Sequence, residues 1–185
     1  MRIFIAIPLP AEVKERLNQV SRDFAKFPAK WVEEENLHIT LVFVGEVSEE
    51  DKIGKISGVL DNVNCGPITL EVGGLSLFPS EKEARLLVAK IGGEEEKLAQ
   101  LSEKIKDGLR KEKIGFDEKP FRPHITLARF KDIGSKQQKA LRAEVGAIKL
   151  PKMKFAAKEI MLVESQLTPT GPIYRVIGAS PLGQI

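Results

Sequence analysis

The 185-residue chain contains two histidines, and both begin the tetrapeptide His-Ile-Thr-Leu. The first copy spans His38–Leu41 and the second spans His124–Leu127. At ordinary residue frequencies, a second histidine would be followed by these three residues about once in several thousand cases. The repeat therefore indicates an internal duplication, in which two related units pack against each other around a shared site.

The hydrophobic pattern supports this duplication. Helices are predicted over Ala11–Phe24 and Glu94–Lys113, where apolar residues recur at steps of three and four. Apolar or alternating runs predict strands over Arg2–Leu9, Leu37–Val44, Ile68–Leu77, Arg85–Ile91, Phe121–Phe130, Phe155–Glu164 and Ile173–Ala179. We predict an α+β fold in one bilobal domain over residues 1–185, with pseudo-repeats of roughly 1–80 and 81–185. Two antiparallel-rich sheets with outer helices would surround a central cleft.

Composition restricts the class of protein further. Hydrophobic residues make up 42% and charged residues 30% of the chain, which excludes a disordered protein. The single cysteine, Cys65, excludes an intrachain disulfide and a cysteine-rich zinc site. No apolar stretch is long enough to span a membrane, and the N-terminus has no signal-peptide pattern. We therefore expect a cytoplasmic protein without a membrane partner. We also expect a monomer, although the sequence does not show the oligomeric state.

Charge is distributed unevenly between the two halves of the chain. Residues 1–92 contain 11 Lys and Arg against 14 Asp and Glu, a net charge of −3. Residues 93–185 contain 18 against 12, a net charge of +6. This excess fits a positive surface for a polyanion such as RNA, although a solvated mixture of charges is the alternative interpretation.

Strand geometry places the polar residues of each motif together. Side chains alternate along a strand, so the histidine and threonine of a motif share one face and the isoleucine and leucine share the other. The apolar face anchors the strand in the core. Two such strands across a groove would present two imidazoles and two hydroxyls to the same space.

Two imidazoles on opposite sides of a groove suit general acid–base catalysis. Since the pKa of histidine is about 6.5, one ring can accept a proton while the other donates one. This arrangement matches in-line displacement at phosphorus, with threonine hydroxyls donating to the non-bridging oxygens. Two histidines and two threonines are a poor set of metal ligands, so we expect no metal and no other cofactor.

Sequence blocks around both motifs resemble the 2H phosphoesterase superfamily. The blocks comprise Arg2-x-Phe4-x-Ala6-x-Pro8, Asn36–Glu46, Pro120–Arg129 and Ser165–Tyr174. They extend over nearly the whole chain. As a set they are similar to the archaeal and bacterial RNA 2′,3′-cyclic phosphodiesterases, also called the 2′-5′ RNA ligase family.

The resemblance implies a hydrolase that opens a 2′,3′-cyclic phosphate at an RNA end to a 2′-phosphate. In the family's scheme His124 is the general base that activates water, and His38 is the general acid that protonates the 3′-oxygen. Thr40 and Thr126 would bind the phosphate. The sequence itself does not separate acid from base, because the two motifs are equivalent.

The resemblance also implies that Phe43 contacts a base and Arg129 a phosphate. Each lies five residues after its histidine, where strict alternation points to the core, so a bulge or a strand end would have to turn it into the cleft. A core position is the alternative for Phe43. Arg122 and Asn36 lie two residues before a histidine, share its face and are further candidates for phosphate or sugar contacts.

The sequence leaves three functions open. The first is metal-independent hydrolysis of cyclic-phosphate RNA ends, with tRNA fragments among the candidate substrates. The second is ATP-independent, reversible 2′-5′ ligation of tRNA halves at the same site. The third is a nucleotide or RNA-end binding module without turnover, which the presence of two titrating histidines disfavours. We interpret Trp31, Tyr174 and Ser165 as packing residues, with stacking on a base as the alternative for Trp31.

Overall fold

Strands and helices follow one another in nearly the order that the duplication predicts. The structure is a computed structural model that describes residues 1–48, 50–169 and 171–183. Its strands are β1 (Arg2–Pro8), β2 (Ala29–Trp31), β3 (His38–Glu46), β4 (Ile68–Pro79), β5 (Ala84–Gly93), β6 (His124–Phe130), β7 (Met153–Ala157), β8 (Glu159–Leu167) and β9 (Pro172–Pro181). Its α-helices are α1 (Ala11–Asp23), α2 (Glu50–Asp61), α3 (Glu95–Lys111) and α4 (Ser135–Ala147), and a short 3-10 helix spans Glu34–Asn36.

The strands form two sheets, which we name after their histidines. The His38 sheet has the order β3-β1-β8-β9, and the His124 sheet has the order β2-β6-β5-β4-β7. Every paired strand in both sheets is antiparallel. The predicted α+β class with two antiparallel-rich sheets is therefore confirmed.

Each sheet combines strands from both halves of the sequence. Strand β4 leaves the first half to pair with β5, and β8 returns from the second half to pair with β1. The helices cross over as well, because α1 packs on β6 and α3 packs on β3. The exchange ties the two sheets together, and the motif strands β3 and β6 come into contact between them.

One apolar core joins both sheets and all four helices. Helix α3 shows why: its apolar residues recur at helical spacing and are fully buried, namely Leu98, Leu101, Ile105 and Leu109. The apolar faces of the strands meet these helices, so their other faces are left for the cleft. None of the described helices is long and apolar enough to cross a membrane.

Two details of the strand prediction are wrong. The predicted strand Phe155–Glu164 is two strands, β7 and β8, which belong to different sheets. The exposed neighbours Lys158 and Glu159 break the alternation of buried residues at this point, and the chain changes sheets there. The short strand β2 was not predicted, because three residues are too few to show a period.

Candidate active site

A bulge in β3 brings Phe43 to the same side of the sheet as His38. Ala6 pairs with Thr40 but Ile5 pairs with Val42, so β3 holds one extra residue between these pairs. Leu41 and Val42 are consequently both buried, and the next side chain turns outward. Phe43 is 54% exposed instead of lying in the core.

The same bulge occurs at the equivalent position of β6. Val88 pairs with Thr126 and Leu87 pairs with Ala128, which leaves Leu127 as the extra residue. Arg129 is therefore exposed on the face that carries His124. The two motifs share this departure from ideal alternation as well as their sequence.

All seven site residues predicted from the sequence line one cleft between the two sheets. The cleft has a volume of about 600 Å³. The predicted residues that line it are His38, Thr40, Phe43, Arg122, His124, Thr126 and Arg129, together with the further candidate Asn36. Both imidazoles thus face one space of a size suited to a nucleotide.

Each imidazole is hydrogen-bonded through the same ring nitrogen to a backbone carbonyl. Nδ1 of His38 lies 2.6 Å from the carbonyl oxygen of Asn36, and Nδ1 of His124 lies 2.7 Å from that of Arg122. A carbonyl oxygen only accepts hydrogen bonds, so each Nδ1 carries a hydrogen and donates it. In both rings Nε2 is therefore the nitrogen that gains or loses a proton.

Phenylalanine rings back both imidazoles. Phe4 of β1 stacks on His38 with ring centroids 4.8 Å apart, and Phe78 of β4 stacks on His124 at 5.4 Å. The guanidinium of Arg122 lies 5.7 Å from the centre of the Phe78 ring. Sequence reasoning missed Phe78, since its strand gave no motif. The only signal was a large apolar side chain at the end of a strand.

Tyr174 and Trp31 also line the cleft, in addition to packing. The Tyr174 ring meets His38 edge-on at a centroid distance of 5.6 Å and Phe4 at 5.1 Å. The ring centroid of Trp31 lies 6.4 Å from that of Phe24 in the core, so Trp31 contacts both the core and the cleft. Both residues therefore pack as predicted and also face the cleft, where the alternative role for Trp31, stacking on a base, remains open.

The electrostatics of the cleft favour an anion. Its lining includes five cationic side chains, Lys30, Lys106, Lys119, Arg122 and Arg129, against two carboxylates, Glu33 and Asp117. Lys119 pairs with Asp117 at 2.9 Å, and this hydrogen bond holds the pKa of the Asp117 carboxyl below its usual value. The remaining excess of positive charge suits a phosphate group.

Burial lowers the pKa of His38 below its ordinary value of 6.5. The bond to the Asn36 carbonyl acts in the opposite direction, and the charges of Lys14, His124 and Arg129 add to the lowering. The free protein therefore favours a neutral His38 ring. Its Nε2 lies 3.0 Å from Oγ1 of Thr40, whose hydroxyl can donate to the neutral ring.

Burial raises the pKa of the Tyr174 hydroxyl, and the positive charge of Arg129 opposes that effect. Arg129 belongs to the His124 sheet, whereas Tyr174 and His38 belong to the His38 sheet. Because all three residues line the same cleft, the charge of Arg129 acts across it on the pKa of both groups.

The described residues include no cluster of three or more His, Cys, Asp and Glu side chains that could hold a metal ion. The groups that converge in the cleft are instead two imidazoles, two threonine hydroxyls and arginine side chains.

Comparisons with known proteins agree with this architecture. The family model for LigT-like phosphoesterases matches residues 7–88 and 91–174, one match for each motif. The chain is 36% identical over 180 residues to an RNA 2′,3′-cyclic phosphodiesterase of Methanocaldococcus jannaschii, covering 96% of this chain and 98% of that protein. It is also 36% identical to the protein of that name from Thermotoga maritima, covering 96% and 93%. The crystal structure of TT0787 from Thermus thermophilus superimposes with a TM-score of 0.80 at 29% identity and 98% coverage of both chains.

The fold and the paired motif together define a 2H phosphoesterase, as the sequence resemblance predicted. Both halves of the chain match the family model, and the relatives match over nearly their full length. The chain belongs to the LigT-like phosphoesterase family.

Proposed function

We propose that this protein hydrolyses 2′,3′-cyclic phosphates at RNA ends to 2′-phosphates, without a metal ion. The observation that carries the proposal is the convergence of His38 and His124 on one cleft, each with Nδ1 bonded to a carbonyl and Nε2 left for proton transfer. The names of the M. jannaschii and T. maritima relatives support the substrate class. The positive lining of the cleft supports an anionic ligand.

In the proposed reaction, Nε2 of His124 accepts a proton from water as the water oxygen forms a bond to phosphorus. The bond between phosphorus and the 3′-oxygen breaks, and Nε2 of His38 donates a proton to that oxygen. One water is consumed, and the products are a 2′-phosphate and a free 3′-hydroxyl. Thr40 and Thr126 donate hydrogen bonds to the non-bridging oxygens, whose charge they stabilise.

For His38 to act as proton donor, binding of the substrate has to change the protonation state of the His38 ring. Burial favours the neutral ring in the free protein. A phosphodiester anion in the cleft favours the charged ring, because an opposite charge at close range raises the pKa of an imidazole. We therefore assign proton donation to His38 in the complex with substrate, where Arg129 also neutralises the phosphate.

The experiment is incubation of the protein with an oligoribonucleotide that ends in a 2′,3′-cyclic phosphate, with and without EDTA. Phosphorus NMR distinguishes a 2′-phosphate from a 3′-phosphate product and so identifies the bond that breaks. We expect 2′-phosphate at the same rate in both samples. Loss of turnover in EDTA that added metal restores contradicts the metal-free scheme, and tight binding without product at any pH identifies a binding module.

We propose RNA fragments, tRNA fragments among them, as natural substrates, and a cytoplasmic monomer as the working form. Sedimentation of the purified protein tests the monomeric state directly.

A further inference from the structure

The face of the His124 sheet that carries the histidine continues beyond the cleft. Lys90 of β5 is the cross-strand partner of His124. Farther along the sheet, Lys154 of β7 is the partner of Glu71 in β4. Met153 and Phe155, on either side of Lys154, pack in or against the core, so Lys154 points to the opposite, open face.

Three lysines form a basic strip on this open face: Lys90, Lys152 and Lys154. All three are exposed, so none is covered by another described part of the chain. Gly73 of β4 leaves room for the Lys152 side chain, and the neighbouring Gly74 lies at ordinary contact distance from the Lys90 side chain. A Cβ on Gly74 would lie 3.8 Å from Cδ of Lys90, and one on Gly73 would lie 3.1 Å from Cγ of Lys152. The strip is therefore continuous from β5 across β4 to β7.

Acidic groups offset part of the charge of the strip. Glu71 lies on the same face and pairs with Lys152 at 2.7 Å, and this contact lowers the pKa of the Glu71 carboxyl. Glu95 lies at the far end, near Gly92. Between His124 and that end, the charge of the described open face is positive.

We propose that the basic strip binds the backbone of a single-stranded RNA whose end occupies the cleft, so that the preferred substrate is an oligonucleotide and not a mononucleotide. The proposal rests on the proposed function. Three strand spacings separate β6 from β7, about 14 Å along the sheet. Lysines at that distance from His124 meet only the part of an RNA chain that extends beyond its terminal nucleotide. Phosphate contacts of this kind add affinity without reading sequence.

The test compares the double variant K152Q/K154Q with the charge-matched control K136Q/K139Q. Lys136 and Lys139 are exposed on α4, which packs on the core side of the same sheet. Affinity for a labelled RNA of about ten nucleotides that ends in a 2′-phosphate is measured by fluorescence anisotropy over a range of salt concentrations. We expect K152Q/K154Q to reduce the slope of log affinity against log salt by about 1.4, since each lost phosphate contact contributes about 0.7. The control should retain the wild-type slope.

Turnover of the same RNA with a 2′,3′-cyclic end, and of a mononucleotide 2′,3′-cyclic phosphate, separates the strip from the catalytic site. We expect K152Q/K154Q to lower kcat/KM several-fold on the RNA and to leave the mononucleotide unaffected. Equal salt slopes for the two variants, or equal losses of kcat/KM on the RNA and on the mononucleotide, would contradict RNA binding by the strip. If the wild-type protein converts neither substrate, the proposed hydrolysis fails, and the anisotropy slopes alone still decide whether the strip binds RNA.

Discussion

The two motif strands have the same tetrapeptide, the same bulge and the same bond from Nδ1 to a carbonyl, yet their surroundings differ. His38 lies between Phe4 and the edge of Tyr174, and its Nε2 meets the Thr40 hydroxyl. Among the described residues the ring in contact with His124 is Phe78, and that ring also lies near the guanidinium of Arg122. The duplication thus provides two imidazoles with the same backbone geometry, and the neighbouring side chains give them different environments.

This difference explains why the motif predicts the chemistry but not the roles. General acid–base catalysis of this displacement needs one ring that accepts a proton and one that donates a proton. Two identical rings would leave these roles undefined, whereas burial lowers the pKa of His38 and so gives that ring a distinct environment. Substitutions of the histidines, of the threonines, and of Phe43 and Arg129 test this difference, in decreasing order of expected effect on activity.

The largest effect is expected for H38Q and H124Q. Each variant removes one proton-transfer group and should lower kcat by about 10²–10⁴-fold. The double variant should be little worse than either single one, because both groups act in the same step. Steady-state kinetics on a cyclic-phosphate RNA gives these rates, with retained binding of the product RNA as the control for folding. Undiminished turnover in either single variant would remove that histidine from the chemistry.

A smaller loss is expected for T40V and T126V. Each removes a hydroxyl proposed to hold the phosphate oxygens, which should cost about 10²-fold in kcat. The two should differ in one respect, since only the Thr40 hydroxyl is within hydrogen-bond distance of an imidazole Nε2 in the described contacts. T40V should therefore also move the titration of His38, whereas T126V should not. Restoration of activity by serine at either position distinguishes loss of the hydroxyl from loss of packing.

Phe43 and Arg129, which the two bulges turn outward at equivalent positions, allow the effects of stacking and of charge to be measured separately. R129Q removes a charge-assisted contact worth about 1.5–3 kcal/mol and should raise KM by about tenfold or more. F43L should raise KM by less, since base stacking is worth about 1–3 kcal/mol and leucine keeps part of the apolar contact. Only the R129Q effect should weaken at high salt. Equal salt dependence in both variants would contradict the assignment of Arg129 to phosphate.

The sequence was sufficient for the fold class and for every residue of the two motifs, because the duplication marked them directly. It was not sufficient for the exchange of β4 and β8 between the sheets, which depends on long-range pairing rather than on local pattern. The bulges could be stated only as a requirement, since nothing in either tetrapeptide specifies an extra residue at Leu41 or Leu127. Phe78 was missed because its partner ring lies in β6, two strand positions away from β4 in the sheet.

The titration of His38 involves no change in activity, but it measures the difference between the two imidazole environments most directly. The chain has two histidines, so proton NMR should show two imidazole signals, which H38Q and H124Q assign. In the free protein His38 should titrate below 6.5, and a nucleoside 2′-phosphate should raise its pKa. Titration of His38 at or above 6.5 in the free protein would contradict the effect of burial.

The same shift makes stability depend on pH in a defined direction. Because the pKa of His38 is lower in the folded state, the unfolded state binds the proton more tightly. The free energy of unfolding should therefore carry its full His38 contribution above pH 6.5 and lose it as the pH falls through the lowered pKa. Denaturant unfolding of the wild type and H38Q between about pH 5 and 8 measures this, and the extra loss in acid should be absent from H38Q. A bound 2′-phosphate should oppose the loss, because the anion favours the protonated ring that burial disfavours.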